Sequence, residues 1–223
     1  MIALVDYGMG NLRSVANAFQ AIGEKVLLTQ SAADLEAAHG IILPGVGAFG
    51  DGMKNLKELG LIEPLRREVL GRGKPYLGIC LGMQFLAEES QEHAAGGAPI
   101  RGFGWLKGRV VQIQTNDKRY KVPHMGWNDL KLTRGSDLFK GLPEEPVFYF
   151  VHSYHLETAE PGVLTAVCEH GATITAAVQK GTIYGVQFHP EKSQNAGLQL
   201  LRNFTAVAQS YAEKTADPCH HPA

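Results

Sequence analysis

Cys80 lies in the run Tyr76-Leu77-Gly78-Ile79-Cys80-Leu81-Gly82-Met83-Gln84, a thiol with a glycine two positions away on each side. An apolar, strand-like stretch precedes it and a helical pattern follows. Gly-x-nucleophile-x-Gly between strand and helix is the form of a nucleophile elbow, in which small neighbours permit a sharp, strained turn that exposes the side chain. The turn also sets the sulfur at a helix N-terminus, where the dipole favours thiolate over thiol. A buried cysteine is more often an inert small hydrophobe. The paired glycines and the strand-to-helix setting favour the reactive reading here.

A cysteine nucleophile needs a base, and the base needs an orienting acceptor. Gly185-Val186-Gln187-Phe188-His189-Pro190-Glu191 offers both at the end of a strand-like run. One ring nitrogen of His189 can face the thiol while Glu191, just past the bend at Pro190, accepts from the other. Alone, the pair reads as a surface histidine beside a solvated glutamate; with the elbow present it reads as base and orienter. A third run, Leu43-Pro44-Gly45-Val46-Gly47-Ala48-Phe49-Gly50, places glycines after another apolar stretch. Backbone N–H groups there, at Gly47, and the N–H of Leu81 are candidate oxyanion-hole donors. The plainer reading of the same run is a flexible strand-to-helix turn.

Cys80 and His189 are far apart in sequence, so the elements between them must bring them together. Ile2-Ala3-Leu4-Val5, Val26-Leu27-Leu28, Ile41-Ile42-Leu43 and 75–79 are short apolar runs of the kind that parallel strands show when both faces are covered. Helical patterns separate them. Leu12, Val15, Ala16, Phe19 and Ile22 recur at helical spacing and stop at Gly23, a second pattern covers 34–38, and a third covers 55–70 with a break expected at Pro64. An amphipathic helix is expected from about Met83. The second half is strand-like over 109–114, 147–151, 163–168, 173–178 and 183–188, spaced closely enough for hairpins. A helix over 196–210 closes the pattern with Leu198, Leu201, Phe204 and Val207 on one face. These elements predict an α/β fold with a mostly parallel central sheet flanked by helices and an added antiparallel region. One domain is expected over 1–210, with a frayed tail over 211–223.

Composition narrows the function classes. The 223 residues are 44% hydrophobic and 19% charged, which excludes a disordered chain and allows a sizeable core. Lys and Arg number 21 against 22 Asp and Glu, so there is no basic footprint for nucleic acid and no polybasic membrane patch. No apolar run approaches the ~18 residues of a membrane span, and the opening residues lack a signal peptide's basic region. Three cysteines, Cys80, Cys168 and Cys219, do not make a disulfide framework. The expectation is a soluble, cytoplasmic protein. His152 and His155 do not share a strand face, and neither they nor His220-His221 fall in a ligand pattern, so no metal or other cofactor is expected. Gly8-x-Gly10 opens like a dinucleotide fingerprint, but Arg13 stands at the third glycine position.

Taken together, Gly78-Ile79-Cys80-Leu81-Gly82-Met83-Gln84 and Phe188-His189-Pro190-Glu191 resemble the class I, triad-type glutamine amidotransferases. Pro44 to Asp51, Asp6-Tyr7-Gly8-Met9-Gly10-Asn11-Leu12 and Pro123-His124-Met125-Gly126-Trp127-Asn128 resemble, more narrowly, the glutaminase subunits of imidazole glycerol phosphate synthase. The resemblance runs from the first strand to about Phe204. It implies the flavodoxin-like class I amidotransferase fold, with Cys80, His189 and Glu191 as a catalytic triad. It also implies that Gln84 contacts bound glutamine, and it makes Ser153 and Tyr154, in Val151-His152-Ser153-Tyr154-His155, candidates for holding the amino-acid group. Asn11, Pro123, Trp127 and Lys192 are implied to face a partner, a (β/α)₈-barrel cyclase of the HisF type, in a heterodimer serving histidine biosynthesis. Trp127, expected in a loop, would anchor that interface. Two readings compete. The glutaminase of pyridoxal phosphate synthase has a Gly-Gly-Glu-Ser type loop where this chain has Gly45-Val46-Gly47-Ala48. A catalytically silent regulatory protein would have no need of the complete Cys, His and Glu set.

Overall fold

The computed structural model describes residues 1–92, 98–160 and 162–216. Eight strands form its central sheet, in the spatial order Val26–Thr29, Ile2–Val5, Gly40–Gly45, Tyr76–Cys80, Ile183–Val186, Thr173–Lys180, Leu164–Glu169 and Lys131–Leu132. The first five are parallel to one another, and the remaining pairings are antiparallel. Every residue of Ile2–Val5, Gly40–Gly45, Tyr76–Cys80 and Ile183–Val186 is buried. Helices cover both faces, which is why these strands read as unbroken apolar runs rather than as an alternation. On one face the core includes Leu4, Ile42, Leu77 and Phe188 with Phe19 and Phe204, carried by helices Leu12–Ala21 and Gln194–Ala216. On the other it includes Val5, Ile41, Leu43 and Tyr76 with Leu56 and Leu65, carried by Phe49–Glu58 and Ile62–Arg66.

Two smaller sheets flank this core. One has four strands in the order Tyr154–Thr158, Gly108–Gln112, Glu89–Ser90 and Ile100–Arg101, and the other is an antiparallel ribbon of Val147–His152 with His124–Asp129. The expected antiparallel addition to a parallel core is present. No described helix is long and apolar enough to cross a membrane.

Several expectations need correction. The helix expected over 55–70 starts at Phe49 and ends at Glu58, and the chain reverses at Gly60, whose φ is +66°. Pro64 lies in the first turn of the next helix, Ile62–Arg66, where its missing N–H costs nothing, so it marks a start and not a break. No amphipathic helix grows from Met83. Leu81–Gln84 is a single turn, and residues 81–87 are buried on every side, with Phe85, Leu86 and Ala87 fully covered. Trp127 is in a strand, not a loop. The closing helix continues to Ala216, and the Tyr211 hydroxyl donates to the Arg72 carbonyl at 3.1 Å. Residues 211–216, expected to fray, are therefore helical, while 217–223, with Cys219, His220 and His221, lie outside the described residues.

One buried charge cluster fastens the amino-terminal edge of this architecture. Lys74, 2% exposed, donates to the Leu35 and Glu36 carbonyls at 2.6 and 2.7 Å and pairs with the fully buried Glu68 at 3.1 Å. It thereby satisfies carbonyls at the end of helix Ala32–Ala37, which the helix itself leaves without donors.

Candidate active site

Strand register brings the three sequence runs together. Gly45 lies opposite Cys80 and Val186 opposite Ile79, so the glycine turn, the thiol and residues 187–191 leave the sheet side by side. They do so at the carboxyl ends of neighbouring parallel strands, where open α/β sheets form their ligand crevices. Cys80 makes the reversal from strand to helix at φ 53°, ψ −105°, a conformation costly for a residue with a side chain. The flanking glycines follow from the same turn. A Cβ on Gly78 would run into the Gly82 carbonyl, and one on Gly82 into the carbonyl of Leu43. Backbone crowding, not flexibility, sets the spacing of the motif.

His189 and Glu191 are locked together, their side chains 3% and 2% exposed and their Nδ1 and Oε1 atoms 2.8 Å apart. The backbone holds the ring in place. The His189 N–H donates to the Tyr149 carbonyl at 2.9 Å, and Ser193 Oγ donates to the His189 carbonyl at 2.6 Å while accepting from the Tyr149 N–H at 3.0 Å. With Nδ1 given to Glu191, Nε2 is the nitrogen left for chemistry. It is buried with no hydrogen bond of good geometry, yet the Cys80 sulfur lies near enough to act on it. Burial opposes charge on this ring, but the Cys80 sulfur and then the Glu191 carboxylate outweigh it and push the imidazole up to about 10. The arrangement favours a proton on His189, held between the Cys80 sulfur and Glu191.

Gly47 has φ +97°, and a Cβ there would be 2.7 Å from Met9 Cε. It stands two residues beyond Gly45, the strand partner of Cys80. Leu81 is the first residue of the turn that follows Cys80, so its N–H has no intrahelical acceptor. Gln84, one turn on and 4% exposed, donates to the Tyr154 carbonyl at 2.9 Å and to Gln187 Oε1 at 3.1 Å. Gln187 is fully buried, and its Nε2 approaches the Cys80 sulfur at 3.6 Å. Ser153 and Tyr154 follow the ribbon strand Val147–His152, with the Ser153 carbonyl accepting from the Ile113 N–H at 2.9 Å. His152 and His155 belong to two different strands.

Three residues near the site escape a reading of the sequence alone. Gln187 is an amide in an otherwise apolar strand end, and that contrast is the one signal that could have marked it. Tyr7 is 1% exposed with an unpartnered hydroxyl, and a Cβ on Gly45 would strike that oxygen. Burial first, and then the Cys80 charge, keep the Tyr7 phenol protonated. Glu92 accepts from the Phe49 N–H at 2.8 Å, where the helix after the glycine turn begins.

The residues assigned to a partner face lie on the outside. Trp127 is 48% exposed and meets the Tyr149 ring edge-on at 5.9 Å, and Lys192 Nζ sits 5.7 Å from the centre of the same ring. Met125 and Val147 extend this exposed apolar face, and Pro123 is exposed at its end. Asn11 is exposed too, but its Oδ1 accepts from the Ser14 N–H at 3.3 Å and caps helix Leu12–Ala21.

Residues 3–208 match the family model for class-I glutamine amidotransferases. The chain is 47% identical over 207 residues to imidazole glycerol phosphate synthase subunit HisH 1 of Campylobacter jejuni, an alignment covering 93% of this chain and 100% of that protein. It is equally 47% identical, over 213 residues, to the HisH subunit of Methanothermobacter thermautotrophicus, covering 94% and 100%. Among solved structures, the glutaminase domain of Trypanosoma brucei CTPS superposes with a TM-score of 0.64 at 20% identity, covering 94% of this chain and 93% of that one. That last likeness speaks to the fold alone.

Proposed function

We propose, from the premise that this chain belongs to the class-I glutamine amidotransferases and within them to the HisH subunits of imidazole glycerol phosphate synthase, that it is the glutaminase of that synthase. The observation that carries the chemistry is His189, fixed by Glu191 at 2.8 Å and raised in basicity by the Cys80 sulfur, at the ends of adjacent parallel strands. Cys80 attacks the side-chain amide carbon of glutamine, forming an S–C bond. His189 delivers its proton to the amide nitrogen as the C–N bond breaks and ammonia leaves. Water, deprotonated by the same ring, then cleaves the γ-glutamyl thioester to give glutamate. The Gly47 and Leu81 N–H groups stabilise the oxyanion in both steps, a contribution of ~3–4 kcal/mol per donor. Gln84, Ser153 and Tyr154 line the side from which glutamine is held.

Free ammonia becomes ammonium in bulk water and ceases to be a nucleophile, so its product value depends on a sheltered route to an acceptor. The exposed face around Trp127, Tyr149 and Lys192 suits docking on a cyclase in a cytoplasmic heterodimer, with Asn11 and Pro123 at its margin. The chain's relatives carry HisH names, which favours this pairing over pyridoxal phosphate synthase. The test supplies glutamine labelled with ¹⁵N at the amide to the chain alone and to the chain with its cyclase. Labelled nitrogen should appear in the imidazole product in the complex. Glutamate formation without incorporation would refute the partner assignment, and no glutamate in either sample would refute the glutaminase.

A further inference from the structure

A line of side-chain hydrogen bonds links the outward-facing ribbon to the Cys80 sulfur. Asn128, in ribbon strand His124–Asp129, spends one Nδ2 hydrogen on the Glu169 carbonyl at 2.9 Å and presents the other to His124 Nε2 at 3.2 Å. His124 Nδ1 lies 3.0 Å from His152 Nε2, and His152 Nδ1 lies 2.9 Å from the Tyr154 carbonyl. The same carbonyl accepts from Gln84, which also bonds Gln187, the neighbour of the sulfur.

The protons in this line have only one consistent placement. A carbonyl can only accept, so His152 carries its proton on Nδ1 and offers Nε2 as an acceptor. His124 must then donate from Nδ1, which leaves its Nε2 to accept from Asn128. Both rings are neutral in this scheme, and a second proton on either would set donor against donor. Burial agrees, holding His124 down to about 4 and His152 to about 3, with neighbouring His170 adding to the effect on each. His124 is also stacked between Phe150 and His170, at 4.6 and 4.0 Å, and is 3% exposed, so it cannot itself touch a partner.

We propose that His124 and His152 are positioning residues that aim the Tyr154 carbonyl, and through it Gln84 and Gln187, at the nucleophile, so that the placement of the ribbon tunes glutamine binding. The proposal rests on the glutaminase reading. It makes the two histidines a directional device and not merely core filling. His124→Phe keeps the ring stack but removes the donor to His152. His124→Asn keeps a donor at the Nδ1 position.

The experiment has two parts. The first is ¹⁵N NMR of the histidine-labelled full chain at pH 7, which should show both rings neutral with the proton on Nδ1. A charged ring, or a proton on His152 Nε2, overturns the proposal. The second measures glutamine-dependent and ammonia-dependent synthesis in the complex with the cyclase. His124→Phe should lower kcat/KM for glutamine by roughly tenfold or more, chiefly through KM, with ammonia-dependent synthesis unchanged, and His124→Asn should restore most of it. An unchanged kcat/KM in His124→Phe overturns the relay. So does a parallel loss of the ammonia-dependent reaction, which would mean a purely structural role. A wild-type complex that makes product from ammonia but hydrolyses no glutamine overturns the glutaminase reading, and the relay with it. Should His124→Phe fail to fold, the wild-type tautomers and His152→Asn decide, since Asn retains the bond to Tyr154 and loses only the link to His124.

Discussion

At the scale of single residues, reactivity separates two buried thiols. Burial pushes the Cys168 thiol up to about 12, which leaves it inert at neutral pH. Cys80 sits beside a protonated imidazole. A glutamine-like electrophile should therefore modify Cys80 and leave Cys168 untouched by mass spectrometry, and Cys80→Ala should cut glutaminase turnover by roughly 10⁴-fold while the chain stays folded. The His189–Glu191 pair gives a second expectation, in stability. The ring's ordinary value of 6.5 is raised to about 10, so its charged-state interactions stabilise the fold fully below about pH 6.5 and are lost as pH rises through about 10. Glu191→Gln removes one of the raising groups. The difference in denaturation midpoint between it and wild type should be widest near pH 6 and close toward pH 10; a gap that grows with pH would contradict the pairing. The three members of this group are legible in sequence because each sits in a strand-to-turn context with a recognisable small-residue or proline neighbour. Gln187 and Tyr7 are not, since what makes them notable is a neighbour distant in sequence, the Cys80 sulfur for Gln187 and the backbone of Gly45 for Tyr7.

At the scale of elements, the parallel strands are readable for a simple reason. Coverage on both faces leaves short unbroken apolar runs in Ile2–Val5, Gly40–Gly45 and Tyr76–Cys80, whereas Val26–Thr29, at the sheet edge, leaves Leu28 52% exposed. The ribbon strand His124–Asp129 is hidden because its two faces differ by context, with His124 and Asn128 turned toward other histidines and Met125 and Trp127 toward solvent. The turn after Cys80 misleads in the opposite sense, since its apolar spacing suits a helix with one wet face and the fold gives it none. The Lys74–Glu68 pair offers a test of what fastens these elements. Lys74→Met leaves Glu68 with Arg67 and Arg72, both half exposed, and strips donors from two carbonyls. A loss of about 3 kcal/mol is expected, the lower end for breaking a buried pair. For a chain this long, that corresponds to roughly 6–12 °C in Tm. Glu68→Gln added to Lys74→Met should recover part of the loss, and no recovery would show that the carbonyl contacts dominate.

At the scale of the whole molecule, the antiparallel ribbon joins the outside to the site. Its strand Val147–His152 holds His189 through Tyr149 and turns into Tyr154, while its partner strand displays Trp127. Binding measured by calorimetry against the cyclase should weaken by about 2 kcal/mol in Trp127→Ala, roughly a 30-fold rise in Kd, as for an aromatic anchor at an interface centre. A change under about twofold would place the contact elsewhere.

The backbone angle at Cys80 carries a last consequence, an evolutionary one. In ordinary positions alanine is more stable than glycine by about 0.5–1 kcal/mol. At φ 53°, ψ −105° the ranking should invert, with Cys80→Gly melting above Cys80→Ala. Alanine melting higher would mean the turn relaxes once the sulfur is gone. If the inversion holds, lineages that cease to need glutamine hydrolysis should drift to glycine at this position, leaving in their genomes a readable scar of the lost activity.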